Sequence, residues 1–395
     1  MSGWQVIVLS MGQQLSTSFS PEERAAAAAL AAVDGIGRRT LRRVFDTLTK
    51  AKLKSTQFWD LGPGFWSHLA LTKKQMESLQ KFVSEYTYTD YFNALKKRQI
   101  RVMFSRDSDW PSALTNIDDP PEVLFVQAAG ELPWIKSRCP NVAVIGSRSM
   151  TGYGRLATHQ LVGGLVAAKA TIVSGVMYGV DQTAHEVACQ LNGTTIGVLG
   201  YGFDHCYPAT VARVRQDIIQ HGCLLSEYPP HVRPSKGGFA ARNRLISGLS
   251  QAVVVVEAAQ RSGTLITAEC ALDQGRTVCA VPGPISSPYS QGTKWLLNQG
   301  AVLVNSAADI LIELGVTLSD KVVTAPNEES TSSITNRVIN CLKLLPSDLP
   351  QLIANLQADP LAASISVGQI FQAVTELEIN GSIMRNGSTY ELSHC

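Results

Sequence analysis

The chain has 395 residues, enough for two or three domains and at least one large core. Hydrophobic residues make up 45% and charged residues 17%, an ordinary globular mixture for which disorder is not the default reading. The formal charge of +2 excludes a global basic field, so any polyanion must be met by a local patch.

The eight cysteines are scattered with no CxxC pair, and most sit in apolar runs such as Thr277 to Val281. That pattern suits a reducing compartment and argues against a zinc site or a disulfide framework. Trp4 to Leu9 is too short for a signal segment, and no apolar stretch reaches the length of a membrane span. A cytoplasmic protein is expected, with no metal.

Residues 1–19 read as a loose N-terminal extension. Ser20-Pro21-Glu22-Glu23 then supplies an N-cap, a proline at the first helical position and early carboxylates, and an Ala-rich helix follows. It stops at Val33-Asp34-Gly35-Ile36-Gly37, and a second helix starts at about Arg38. Helix, Gly-x-Gly turn, helix is the pattern of a helix-hairpin-helix, with Arg38, Arg39, Arg42 and Arg43 placed to follow a phosphate. The same pattern fits an ordinary helical corner with a solvated basic face. Residues 20–100 are read as one helical, helix-hairpin-helix or SAM-like domain.

Residues 101–135 read as a connector, punctuated by Trp110-Pro111 and Asp119-Pro120-Pro121. From Asn141 the texture changes to short apolar runs alternating with helix-length segments. The runs are Val142–Ile145, Thr171–Val173, Thr195–Leu199, Cys223–Leu225, Ala252–Val256, Val278–Val281 and Ala301–Val304. Continuous rather than alternating apolar character suits parallel strands buried on both faces. The fold class expected for residues 101–315 is therefore α/β, an extended Rossmann-like, doubly wound and mostly parallel sheet. Residues 316–333 are polar and read as a linker. Residues 334–395 predict three helices, the third at Val367–Asn380, and a hairpin turning at Asn386-Gly387, which together describe a winged helix.

In such a sheet, ligands bind outside the carboxyl ends of the strands. The unusual residues fall there: Gly146-Ser147-Arg148, Ser174-Gly175 with Gly179-Val180-Asp181, Gly200-Tyr201-Gly202 with Tyr207-Pro208, Ser226-Glu227, and Glu257 followed by Arg261-Ser262-Gly263-Thr264. A strand-to-helix turn holding Gly, Ser and Arg can grip a phosphate by backbone N–H groups and a fixed cation. Each Gly turn alone serves loop geometry equally well; several on one sheet edge, two with an Arg, favour a phosphate-bearing ligand. The spacing from Gly146 to Gly154 does not fit a dinucleotide fingerprint, and no GxxxxGK[ST] occurs.

The stretch from Tyr228 to Val256 holds His231, Arg233, Lys236, Arg242 and Arg244 and no carboxylate. Within it, Phe239 stands between Lys236 and the Arg242-Asn243-Arg244 run. Cations that track a backbone and a ring that stacks a base are what single-stranded DNA requires. A solvated basic loop whose Phe belongs to the core fits the same residues. No GxSxG, HExxH or Ser/His/Asp set is present. Asp181 and His185 lie one helical turn apart, a spacing that does not by itself make an acid–base pair. Glu227 and Glu257 could form a carboxylate pair, but the reading preferred is that they hold backbone amides of the glycine loops or pair with Arg148 or Arg244. No catalytic residue and no cofactor is assigned. The candidate DNA-binding set is Gly146, Ser147, Arg148, Gly175, Lys236, Phe239, Arg242, Asn243, Arg244, Ser262, Gly263 and Thr264.

These same motifs, together with Tyr153-Gly154, Ala184-His185, Thr267-Ala268 and Val281-Pro282-Gly283, resemble in order and spacing the DNA-processing protein A (DprA/Smf) family. The resemblance is strong over residues 105–315, and the flanking parts match a three-part architecture. It implies a protein of natural transformation and recombination that binds and protects incoming single-stranded DNA. It further implies dimerisation through the Rossmann-like domain, loading of the recombinase RecA, and no enzymatic activity. By resemblance, Arg148, Lys236 and Phe239 carry DNA contacts. The chain departs from the family where Phe239 is followed by Ala240-Ala241 instead of Pro, where Lys294 follows Gly292-Thr293, and at Met177-Tyr178. The competing reading is a nucleotide-binding or nucleotide-hydrolysing enzyme of the lysine-decarboxylase-like Rossmann group. That group carries a Pro-Gly-Gly-x-Gly-Thr-x-x-Glu loop where this chain has Arg261 to Glu269. A pure mononucleotide sensor is the third.

Overall fold

The computed structural model describes residues 19–136, 139–316, 334–344, 346–357 and 365–392. The expected extension, but for residue 19, and the expected linker, but for residue 316, lie outside the described residues.

The first helix, α1 (Pro21–Ala32), starts where the sequence signals it. Glu23 N donates to Ser20 Oγ at 3.2 Å and Ser20 N donates to Glu23 Oε2 at 3.0 Å, a reciprocal cap that satisfies two otherwise orphaned donors. Every residue from Ala25 to Ala32 is buried. Small side chains let neighbouring helices approach closely, and α3 (Ser55–Trp66) and α5 (Tyr88–Lys97) pack against α1. Between them run α2 (Arg38–Lys50) and α4 (Lys73–Glu85).

Of the four arginines of α2, Arg38 and Arg42 are half-buried and paired within the molecule, whereas Arg39 and Arg43 are exposed. Arg38 pairs with Asp119 at 2.5 Å, Arg42 pairs with Glu122 at 2.5 Å and donates to the Pro120 carbonyl, and Arg43 donates to the Ala70 carbonyl. The hairpin thus docks through its arginines onto residues 119–122. The helical unit also shares a core with the sheet: one apolar cluster runs from Ala25 through Phe45, Phe104 and Phe125 to Leu199, Tyr201 and Leu224.

The region read as a connector is a correction. It contains two strands, β1 (Arg101–Phe104) and β2 (Val123–Gln127), paired antiparallel and added to the edge of the main sheet. Both are short apolar runs, and the Pro- and Trp-containing loop between them masked their pairing. After the short α6 (Pro133–Lys136) come the seven expected strands: β3 (Asn141–Ile145), β4 (Thr171–Ser174), β5 (Thr195–Leu199), β6 (Gly222–Ser226), β7 (Ala252–Val255), β8 (Thr277–Ala280) and β9 (Val302–Leu303). The sheet has nine strands in the order β1-β2-β6-β5-β4-β3-β7-β8-β9, and all seven from β3 to β9 are parallel. Helices α7 (Gly152–Ala167), α8 (Val180–Gln190), α9 (Ala212–His221), α10 (Lys236–Gly248), α11 (Gly263–Asp273) and α12 (Gln291–Asn298) make the crossovers, and α13 (Ala307–Glu313) follows the last strand.

Alternate strand residues face opposite cores, as the pleat requires. Val142, Val144, Ile172 and Val254 pack with Leu161 and Leu165 of α7 and Ala184 of α8. Ala143, Ile145, Val173 and Val255 pack with Leu245 and Ile246 of α10 and Ala268 of α11. From β3 the chain builds outward to β6, then returns to build β7 to β9 on the other side. The reversal between β3 and β7 opens a crevice at their carboxyl ends, where open α/β sheets bind ligands.

After residue 333, α14 (Ile334–Leu344), α15 (Leu349–Gln357) and α16 (Val367–Ile379) precede the hairpin β11 (Ile383–Asn386) and β12 (Thr389–Leu392). Asn386 pairs with Thr389, so the turn centres on Gly387-Ser388, one residue beyond the expected position. A short strand, β10 (Ser347–Asp348), unexpected from the sequence, pairs with β12. The unit has its own core around Val338, Leu352, Ile370 and Leu377.

Candidate nucleic-acid interface

A cleft of about 640 Å³ lies over the carboxyl ends of β3 and β7. Its walls are the loop after β3, the segment from Met177 to Asp181, the loop bearing Tyr207, the first turns of α10, and the loop from Ala259 into α11. Of the candidate set, Gly146, Ser147, Arg148, Lys236, Phe239, Arg242, Asn243, Ser262, Gly263 and Thr264 line it, whereas Gly175 and Arg244 do not.

The small residues do two different jobs. A Cβ on Gly146 would stand 2.5 Å from Val180 Cγ2, and one on Gly175 would stand 2.6 Å from Asp181 Oδ2. Those glycines exist for internal close packing. Gly263 at the start of α11 has no such neighbour: nothing lies within 4 Å of its Cβ position, so its face is open to the cleft. The hydroxyls tie the loops together. Thr264 Oγ1 donates to the Gly146 carbonyl at 3.1 Å, Ser262 Oγ accepts from Thr264 N, and buried Ser147 Oγ accepts from Ser149 N. Glu257 accepts from Thr151 N at 2.9 Å and from Thr151 Oγ1 at 2.5 Å, holding the start of α7 as expected of a loop-bracing carboxylate.

The basic run divides. Arg242 is buried, donating to the carbonyls of Gly175 (2.7 Å) and Val198 beside Asp181. Burial lowers its pKa to about 10 and raises that of Asp181 to about 6, with Arg242 opposing the latter shift. Arg244 is also buried; its Nη2 donates to both oxygens of Glu227, at 2.8 and 2.9 Å, and its Nε to the Asp119 carbonyl. Burial pushes the Glu227 carboxyl up, against the pull of Arg244. The run therefore divides: buried Arg242 lines the cleft while its guanidinium is held by internal carbonyls, half-buried Asn243 lines it too, and Arg244, turned to Glu227, does not reach it. A three-residue run on a helix spreads its members around the axis, so they cannot share one face. His185 is no acid–base partner either: it is fully buried, with Nδ1 at 2.7 Å from Thr195 Oγ1, and burial lowers its pKa to about 3.

What remains at the surface is a group of exposed cations in a cleft that also holds a ring. Arg148 and Lys236 are exposed, and the Arg148 guanidinium stands 5.8 Å from the centroid of Phe239. Lys236 opens α10, where the helix dipole opposes a cation. Arg261, not assigned from the sequence although it stands in the same Arg-Ser-Gly-Thr loop, is the third exposed cation of the cleft. None of the three forms an ion pair among the described residues. Tyr207 and Tyr289 also line the cleft and were not assigned. Lys294 is exposed on α12 and lies outside the lining.

Residues 101–315, which build both the sheet and this cleft, match the family model described as DNA recombination-mediator protein A. The chain belongs to this family. Among its relatives, Protein Smf of Escherichia coli (strain K12) is 45% identical over 206 residues, covering 52% of this chain and 54% of that protein. The chain thus matches about half the length of that relative. Protein Smf of Synechocystis sp. is 28% identical over 393 residues, covering 91% of this chain and 96% of its own. The X-ray structure of DNA processing protein A from Streptococcus pneumoniae superposes with a TM-score of 0.62 at 30% identity, covering 76% of this chain and 99% of that one. The Rossmann-like, mostly parallel sheet is therefore the family's fold. As a member of a DNA-processing family, the chain has a cleft to be read for polyanion chemistry. Among the described residues no group of His, Cys, Asp and Glu could hold a metal, and no helix is long and apolar enough to cross a membrane.

Proposed function

We propose that this chain binds single-stranded DNA in the cleft above β3 and β7, and acts by holding the strand instead of turning over a substrate. The observation that carries this reading is the division of the basic residues. Arg242 and Arg244 are satisfied inside the protein, whereas Arg148, Lys236 and Arg261 line one cleft with Phe239, Arg148 beside its ring, and have no ion-pair partner among the described residues. Three exposed cations in one cleft with aromatic side chains suit a flexible phosphate backbone whose bases can turn toward the protein. A mononucleotide would need fewer cations and a closed base pocket.

Family membership supports a wider role in transformation and recombination in the cytoplasm: protecting incoming single strands and loading RecA onto them, from a homodimer built on the Rossmann-like domain. The N-terminal helices read as a helix-hairpin-helix or SAM-like unit in which Arg38 and Arg42 are taken up by Asp119 and Glu122, and residues 334–392 read as a winged helix.

Fluorescence anisotropy with labelled oligo-dT and a duplex of equal length tests the reading. Preference for oligo-dT is expected, with ATP failing to compete at equal phosphate concentration. Equal affinity for the duplex, or displacement by ATP, would overturn it.

A further inference from the structure

Phe239, the ring the sequence singles out, is less available than its position suggests. It is half-buried and packs against the core shared by the helical unit and the sheet. Tyr201, itself almost fully buried, meets its ring edge-on at 6.0 Å, and Arg148 stands against it. Tyr207 is different. It lies in the cleft wall with 41% of its surface exposed, and its ring is 5.6 Å from that of Phe239 at an interplanar angle of only 34°. The two rings lie against each other as a tilted pair, of which Tyr207 is the more exposed member.

The backbone behind Tyr207 is held unusually firmly. Tyr201 Oη accepts from Tyr207 N at 3.0 Å and donates to the Tyr207 carbonyl at 2.7 Å, so one buried hydroxyl clamps both polar groups of that residue. A ring on a clamped backbone loses little further freedom when a base covers it, which favours binding. Tyr207 lines the same cleft as three exposed cations, which sets it apart from exposed aromatics elsewhere on the chain such as Tyr86 and Phe371. Tyr289 also lines the cleft, but from the loop after β8 and with no aromatic neighbour among the described residues.

We infer that Tyr207 is a base-stacking residue of the cleft, taking a nucleobase on its ring while Phe239 serves as the floor beneath and Arg148 holds the adjoining phosphate. This rests on the single-strand reading above, and the test keeps the two apart. Full-length wild type, Tyr207→Leu, Tyr207→Phe and Arg148→Ala are titrated with oligo-dT and with an abasic strand of equal length, which has phosphates but no bases. The Tyr201 clamp reaches only backbone atoms of residue 207, so all Tyr207 variants keep it, and thermal melting confirms their fold. Tyr207→Leu is expected to lose roughly ten-fold in oligo-dT affinity with little change on the abasic strand. Tyr207→Phe should bind oligo-dT nearly as wild type, and Arg148→Ala should weaken on both strands. Wild-type discrimination between the two strands by Tyr207→Leu would overturn the stacking role while leaving the reading intact. A wild-type protein indifferent to both strands would instead overturn the reading on which the role rests.

Discussion

Arg244 and Glu227 form an ion pair almost closed to water, with side chains only 10% and 7% exposed and Nη2 shared between both carboxylate oxygens. The pair joins α10, which carries Lys236 and Phe239, to the loop after β6. Removing one partner leaves the other charge buried and unsatisfied. Arg244→Ala should therefore lower the unfolding free energy by about 3–5 kcal/mol in urea denaturation. Arg38→Ala breaks a pair whose side chains are 29% and 30% exposed, and should cost less than about 1 kcal/mol. Near-normal stability of Arg244→Ala with lost DNA affinity would mean that Arg244 is a ligand contact after all.

This pair also shows where sequence reading stops. The seven parallel strands were legible because burial on both faces leaves continuous apolar runs, and the glycine turns at their carboxyl ends marked the crevice. Glu257 and Glu227 were legible as bracing carboxylates because no base or nucleophile accompanies them. The inward turn of Arg242 and Arg244 was not, because net charge in a segment says nothing about helical phase until the helix start at Lys236 is known. Nor were β1 and β2: β1 pairs with β2, and β2 gains its place by pairing with β6, far away in sequence. Tyr207 was visible as half of a Tyr-Pro dipeptide, but its exposure depends on the clamp from Tyr201 six residues earlier.

Buried Asp181 offers a pH signature. Burial raises its pKa from the ordinary 3.8 to about 6, Arg242 opposing. A carboxyl whose folded pKa exceeds its unfolded value binds more protons when folded, so its contribution to stability grows as pH falls from about 6 toward 4. Above that window the ionised group costs stability, by up to about 3 kcal/mol for a two-unit shift. Other carboxylates confound the absolute trend, so the comparison is wild type against Asp181→Asn. Wild type should gain on the variant between pH 7.5 and pH 5. A difference in unfolding free energy that is flat over this range would show that Arg242 keeps Asp181 ionised throughout.

The C-terminal unit is expected to be dispensable for single-strand binding. Its third helix, α16, bears Glu376 and Glu378, both exposed, and no Lys or Arg, so it repels phosphate. Exposed Val367 and Phe371 on the same helix suit a protein contact better. Deleting residues 325–395 should leave oligo-dT affinity within roughly three-fold, given a cleft built wholly by earlier residues. A loss of about a hundredfold would place part of the DNA site on this unit.

The cations and the rings of the cleft should separate by salt dependence. A phosphate contact releases condensed counterions on binding, so each one adds about 0.7 to the slope of log affinity against log salt for a single strand. Stacking releases no counterions and is worth about 1–3 kcal/mol per base at any salt. Arg148→Ala, Lys236→Ala and Arg261→Ala should each flatten the slope, and each by about the same amount because none has an internal ion pair to compensate. Phe239→Leu keeps apolar bulk against the core and should weaken binding with the slope unchanged. Because that ring also packs against the shared core, some loss of melting temperature should accompany it, whereas the three cation variants should melt as wild type. Isothermal titrations with oligo-dT across a salt series, paired with melting curves, distinguish the classes. If Arg148→Ala leaves the slope untouched, or if all four variants share one slope, the cations do not meet phosphate and this cleft is not where the strand lies.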